Sequence, residues 1–196
     1  ANPGCYPTGG IALIRPLVDA GIIARDHPLS VNAVSGYSGG GKSMIEAFES
    51  GKAPSFELYG LKLGHKHLPE LQYYSNLTRR PIFVPSVGDF RQGMLVSVPL
   101  HLDTLAKKVA ARDIEEALAA HYDGSEWVRV VKEGDADFHA DRIEPESLNH
   151  TNKLELHAYV SDAYGQAVLV AKLDNLGKGA SGAAVQSLRL MTGLKD

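Results

Sequence analysis

Cys5 is the single cysteine among 196 residues, so its sulfur has no internal disulfide partner and is free for chemistry. Gly4 precedes it and the apolar run from Ile11 to Val18 follows, which places the thiol at a helix N-terminus. Unpaired backbone amides and the helix dipole favour a thiolate there. An ordinary thiol, with a pKa of about 8.5, is only a few per cent ionised at pH 7, and a fall of about one unit raises the nucleophile roughly tenfold. Such a sulfur suits acyl transfer; the alternative for a free cysteine is a small buried hydrophobe.

A nucleophile of this kind wants a base, and His65-Lys66-His67-Leu68-Pro69-Glu70 offers two imidazoles and a carboxylate. On an extended segment the two rings share one side, while Glu70 lies one turn into the next helix, within reach of orienting His67. A metal site needs a third ligand that the sequence does not nominate, so no metal is expected. The other six histidines have no such company. A second constellation, Gly36-Tyr-Ser-Gly-Gly-Gly41-Lys42-Ser43, satisfies the phosphate-cradling pattern G-x-x-x-x-G-K-[ST] between a strand and a helix. A nucleotidase also needs a strand ending in a magnesium-holding Asp, and the candidate ending at Asp89 is interrupted by Pro85. The loop with Lys42 would serve any phosphate, an acyl phosphate included. A third, Asp174-Asn175-Leu-Gly177-Lys178-Gly179-Ala-Ser181-Gly182, reads as a capped helix start whose small residues permit close packing, with Asn175 free to present an amide to a ligand.

The elements that must position these residues follow from periodicity. Helices are expected over 11–18 (ended or bent by Pro16), 43–50, 68–76, 114–122 and from about 181; strands over 30–35, 56–61, 81–87, 93–102, 127–131, 154–160 and 166–173. Strand runs without regular βαβ alternation favour an α+β fold with a mostly antiparallel sheet. With 44% hydrophobic residues the chain can bury a sizeable core, which excludes a disordered or disulfide-stapled protein. No apolar run approaches membrane-spanning length, and no secretory signal opens the chain. Basic and acidic residues number 20 and 23, for a net charge of −3, with no basic block to hold nucleic acid. Residues 112–146 hold 11 of the 23 acidic groups, which reads as a solvated helix face and loop. The opening Ala1-Asn2-Pro3-Gly4 turn looks like the middle of a longer protein.

Four blocks in order, Asn2-Pro-Gly-Cys5-Tyr-Pro-Thr8, Ser35-Gly-Tyr-Ser38-Gly-Gly-Gly-Lys42, His65-Lys-His67-Leu-Pro-Glu70 and Asp174-Asn175-Leu-Gly-Lys178-Gly-Ala-Ser-Gly182-Ala-Ala-Val-Gln186, closely resemble the N-acetyl-γ-glutamyl-phosphate reductase family of arginine biosynthesis. The resemblance implies a glyceraldehyde-3-phosphate-dehydrogenase-like catalytic domain with helices flanking its mixed, mostly antiparallel sheet. No G-x-G-x-x-G opens a βαβ unit here, so the family's NADP(H)-binding half is expected upstream. By the same resemblance residues 1–20 carry the nucleophile, 21–175 form the catalytic and dimerisation domain, and 176–196 would pack on the coenzyme domain. Cys5 would attack the acyl phosphate and expel phosphate, His67 would relay the proton, and backbone amides around Cys5 would hold the oxyanion. Asn2, Ser35, Gly36, Ser38, Lys42, His65 and Glu70 would contact substrate, and Asn175 and Lys178 the NADP(H) coenzyme. A cytoplasmic homo-oligomer, dimer or tetramer, is expected. A P-loop NTPase and a non-catalytic binding or dimerisation module are the competing readings. Aspartate-semialdehyde dehydrogenase and aminoadipyl-phosphate reductase share the thioester chemistry.

Overall fold

Met94, Val96, Val98 and Leu100 alternate with Leu95, Ser97, Pro99 and His101, and the first set is buried while the second is not. This one-sided strand, β4 (Met94–His101), sits at the centre of a seven-stranded sheet in a computed structural model that describes residues 2–194. Ala1, at the start of the expected nucleophile segment, and Lys195 and Asp196, at the end of the expected C-terminal segment, lie outside the described residues. The other strands are β1 (Ser30–Gly36), β2 (Phe56–Leu58), β3 (Ile82–Gly88), β5 (Val128–Val131), β6 (Leu154–Ser161) and β7 (Gln166–Leu173). Their order is β2-β3-β1-β4-β7-β6-β5, parallel for β1 with β3 and β5 with β6, antiparallel elsewhere. The mixed, mostly antiparallel sheet matches the expectation, and β7 occupies the predicted 166–173.

The helices are α1 (Cys5–Asp19), α2 (Lys42–Glu49), α3 (Leu68–Tyr74), α4 (Ala111–His121) and α5 (Gly182–Thr192). The α1 helix lies on the inner face over β4 and β7 with α3 and α4 beside it. The core between them is Leu13, Ile14 and Leu17 against Val96, Leu169 and Leu156, all fully buried. Among the described residues no helix is long and apolar enough to cross a membrane.

Both expectations about proline need correction. The first helix begins at Cys5, with the thiol at its N-terminus as expected, and runs through Pro16 to Asp19, so Pro16 does not end it. Proline has no N–H for the carbonyl four residues back, and the hydroxyl of Tyr122, just past α4, donates to the Ala12 oxygen instead at 3.0 Å. Nor does Pro85 interrupt its strand, since β3 passes through it in parallel register with β1. The carbonyl of its register partner Ala33 receives the Ser86 hydroxyl at 2.8 Å. In α5 the apolar positions Val185, Leu188 and Met191 are exposed, and Ala183 is the one buried residue of that helix.

The outer face of the sheet is divided. Over β6 and β7 the segment after β5 lies across it: Phe138 stacks on Tyr159, Tyr159 stacks on His157, and the Lys172 ammonium donates to Ser147 Oγ at 2.9 Å. Much of the acidic stretch is solvated, as expected, with Arg129 bridging Asp135 and Asp137. Over β1, β2, β3 and β4 the face is open, a shallow concavity with Phe56, Leu58, Val84 and Leu95 in its wall.

Candidate active site

The first turn of α1 accounts for every backbone donor at its end. A helix leaves its first four N–H groups without intrahelical acceptors. Here they belong to Gly4, Cys5, Tyr6 and Pro7, and Pro7 has none. The Gly4 N–H donates to the Glu70 carboxylate, at 3.0 Å to Oε1 and 3.3 Å to Oε2. The Cys5 and Tyr6 amides act on the cysteine sulfur.

The thiol is partly buried, and burial pushes its pKa up, with Glu70 adding to the rise. The two amides and the Lys66 ammonium pull it down without reversing the balance. The helix N-terminus therefore does not give the resting thiolate that sequence reasoning expects, because desolvation of the anion outweighs the amides.

The histidines gather as expected, their ring centroids 4.9 Å apart. His67 lies against Gly4, so close that a Cβ on residue 4 would stand 2.7 Å from ring Cδ2 and 2.8 Å from Cε1. Burial first, then His65 and Lys66, lower its pKa to about 4. It is a neutral imidazole at pH 7, the form that accepts a proton. The His67 backbone N–H donates to His65 Nδ1 at 3.2 Å, which leaves the neutral His65 proton on Nε2. Tyr6 and Phe83 wall the pair, with the Tyr59 hydroxyl on Tyr6 Oη at 2.9 Å and Tyr6 in turn on the Ser86 carbonyl at 3.0 Å. The expectation that Glu70 orients His67 is corrected: its carboxylate is on Gly4, and His67 Nδ1 is buried without a partner.

On the other side of Cys5 stands the segment after β7. A Cβ at Gly179 would lie 2.8 Å from Cys5 Cβ, so only glycine lets this π-helical turn, Gly177–Ser181, come so close. Asp174, fully buried, holds the segment by accepting from Gln92 Nε2 at 2.6 Å, His150 N at 2.7 Å and Leu176 N at 2.8 Å. Asn175 accepts from Gly93 N at 2.8 Å and donates to Ser38 Oγ at 3.0 Å. That bond ties the glycine-rich loop to the cysteine's neighbour. Of the loop residues, the buried Ser35 gives its hydroxyl to the Gly36 carbonyl at 2.9 Å, while Lys42 is exposed and 3.9 Å from Glu46. Asn2 is exposed ahead of the turn. Lys178 is buried, its ammonium on Gln186 Oε1 at 2.8 Å. Asn175 Nδ2 and the Lys178 ammonium thus each hold one partner within the chain, Ser38 Oγ and Gln186 Oε1.

The phosphate-cradle reading of the same loop fails on its amides. Gly36, Tyr37 and Ser38 donate to Gly93 O, Phe90 O and Arg91 O at 2.9, 2.9 and 3.0 Å, so three of the N–H groups needed for a phosphate are already bonded. The parts that sequence reasoning missed, Gln92, Gly93 and Tyr59, come from turns with no motif of their own. The Gly177-x-Gly179 spacing was the visible trace of the close approach to Cys5.

A cysteine on a helix end, with a neutral imidazole packed on the residue before it and a glycine turn behind it, is an arrangement suited to acyl transfer, and solved structures share the fold that holds it. The crystal structure of aspartate semialdehyde dehydrogenase II from Vibrio cholerae matches with a TM-score of 0.70 and 17% identity, over 98% of this chain and 62% of that one. A probable aspartate-semialdehyde dehydrogenase from Pseudomonas aeruginosa matches with a TM-score of 0.67 and 16% identity, over 96% of this chain and 61% of that one. The chain belongs to the family described as semialdehyde dehydrogenase, dimerisation domain, whose pattern matches residues 5–175. Among curated relatives, N-acetyl-gamma-glutamyl-phosphate reductase of Burkholderia lata is 49% identical over 100% of this chain and 62% of its own length. The protein of that name from Chelativorans sp. is 52% identical over 97% of this chain and 63% of its own. The chain thus spans under two thirds of the length of these relatives.

Proposed function

We propose that this chain is the catalytic and dimerisation portion of an N-acetyl-γ-glutamyl-phosphate reductase, a cytoplasmic NADP(H)-dependent enzyme of arginine biosynthesis. The observation that carries the reading is the pairing of a protonated Cys5 with a neutral His67 pressed against Gly4, within a chain about half identical to reductases of that name. His67 takes the thiol proton as the sulfur attacks the acyl carbon. The S–C bond forms, the C–O bond to phosphate breaks, and phosphate leaves a thioester on Cys5. The Cys5 and Tyr6 amides, the two not otherwise engaged at the helix end, meet the oxyanion. A bound NADP(H) would supply the hydride that reduces the thioester to the semialdehyde, and Asn175 and Lys178 are the residues of this chain that would hold it.

Substrate recognition falls to His65, whose Nε2 carries the proton of the neutral ring, and to the loop from Ser35 through Gly36 and Ser38 to the Lys42 cation. Asn2 borders the same turn. A second copy would pair through the open outer face, where Phe56, Leu58 and Ile82 are each about half exposed, in keeping with the family's description as a dimerisation domain.

Acylation precedes hydride transfer, which gives the test. The intact enzyme mixed with N-acetyl-γ-glutamyl phosphate and no coenzyme should release one phosphate per active site in a burst and carry the acyl group on the Cys5 peptide by mass spectrometry. No burst and an unmodified Cys5 would reject the reading. Gly4→Ala should slow that burst about a hundredfold with the fold retained, since the added methyl must push the His67 ring aside and sub-ångström placement of a base carries factors of that size.

A further inference from the structure

The Glu70 carboxylate has a place that neither substrate binding nor orientation of His67 explains. It sits in the first turn of α3, partly buried, with both oxygens on the N–H of the residue before the nucleophile. The Gly4 carbonyl, in turn, accepts both the Thr8 N–H at 3.0 Å and the Thr8 hydroxyl at 2.9 Å. The peptide leading into Cys5 is thus fixed from both ends, by a different helix on one side and by its own on the other.

We propose that Glu70 is a positioning residue for the nucleophile, gripping the Gly4 N–H so that the Cys5 and Tyr6 amides alone are aimed at the sulfur. This rests on the reading of Cys5 as the nucleophile. Two consequences follow from charge and geometry. Without the grip the Gly4 amide is a third donor at the helix end, and the Pro3–Gly4 peptide loses the acceptor that holds the turn into Cys5. With it, an anion stands where the helix end would otherwise favour a thiolate, so Glu70 keeps the sulfur protonated until substrate and base meet it. The charged and titratable groups that act on Cys5 are Lys66 before α3, Glu70 on α3, Tyr6 on α1 itself and Tyr59 after β2, while His65 and His67 pair with each other beside Gly4 and the Lys178 ammonium is turned to Gln186. Glu70 is the carboxylate among them, and it acts on Cys5 in the raising direction.

The test follows iodoacetamide alkylation of the Cys5 peptide by mass spectrometry in the intact enzyme as a function of pH, which reports the Cys5 thiolate alone. Glu70→Gln keeps an oxygen for the Gly4 N–H and removes the charge; Glu70→Ala removes both. The Gln variant should show a midpoint lower by about one pH unit, hence roughly tenfold faster alkylation at a fixed pH below it, with the limiting rate at high pH unchanged. The Ala variant should show the lowered midpoint and also a changed limiting rate, because the sulfur is no longer held. A midpoint that stays put in the Gln variant, or a limiting rate in the Ala variant equal to that of the parent, overturns the proposal. Both profiles are independent of the phosphate burst, so loss of the clamp and loss of the thioester reading are told apart.

Discussion

Serine in place of Cys5 should lower kcat/KM of the intact enzyme by at least ~10⁴-fold while leaving its thermal unfolding unchanged. Removing a covalent nucleophile costs factors of this order and larger, and ~10⁴ corresponds to about 5.5 kcal/mol of barrier. The substitution changes one atom in a side chain already in contact with Gly179, so neither a cavity nor a clash accompanies it. A serine hydroxyl ionises far above a thiol, and a His67 imidazole with a pKa of about 4 is too weak a base to make up the difference. Steady-state reduction of N-acetyl-γ-glutamyl phosphate, with Tm measured on the same sample, reads both halves. Activity within tenfold of the parent would remove Cys5 from the chemistry.

The largest stability effect is expected far from the site. Glu155 on β6 and Lys172 opposite it on β7 form an ion pair at 2.8 Å with both side chains about nine-tenths buried, and His157 stands 3.6 Å from the same carboxylate. The nearby His157 imidazole, together with the Lys172 ammonium, holds the Glu155 pKa down to about 2. Glu155→Gln leaves the ammonium buried with a hydroxyl and a neutral amide, a change that costs about 3–5 kcal/mol. For a domain of this size 3 kcal/mol lowers Tm by about 6–12 °C. A carboxylate whose pKa falls on folding stabilises above its ordinary value of 4.5 and loses that contribution as pH drops toward 2. The gap between parent and variant should therefore be full at pH 6 and close at pH 2. Replacing both partners, as Glu155→Leu with Lys172→Met, should recover most of the loss, since an apolar pair leaves no orphaned charge. A Glu155→Gln variant with parental Tm would show the pair to be energetically idle.

How much of this was legible before the structure depends on where the information resided. Alternation in β4 announced a half-buried strand, because that signal is local. Cys5, the His65–His67 pair and the loop were visible as residue types. Their convergence was not, since it passes through the shape of Gly179, the backbone N–H of Gly93 and the side-chain amide of Gln92, none of which stands in a motif that points to the site. Glu70 was read one turn too locally. Its nearest neighbour in sequence with a use for a carboxylate is His67, but the donor it meets is 66 residues away in the chain. The thiolate expectation failed for a related reason: the helix end was visible in the sequence and the burial was not. In α5 the periodicity of Val185, Leu188 and Met191 was real, but periodicity gives a face and not what, if anything, covers it.

Pro16 and Tyr122 illustrate a dependence of another kind. The proline removes a donor from the middle of α1, and a hydroxyl 110 residues from the deprived carbonyl replaces it. The hydrogen bond makes a substitution at either position depend on the residue at the other. Any residue with an N–H at 16 satisfies Ala12 within its own helix and releases position 122 to become phenylalanine, whereas phenylalanine arriving first strands a carbonyl inside the protein. The order of the two changes is therefore constrained, and a tyrosine beyond α4 records the history of a helix on the other side of the core.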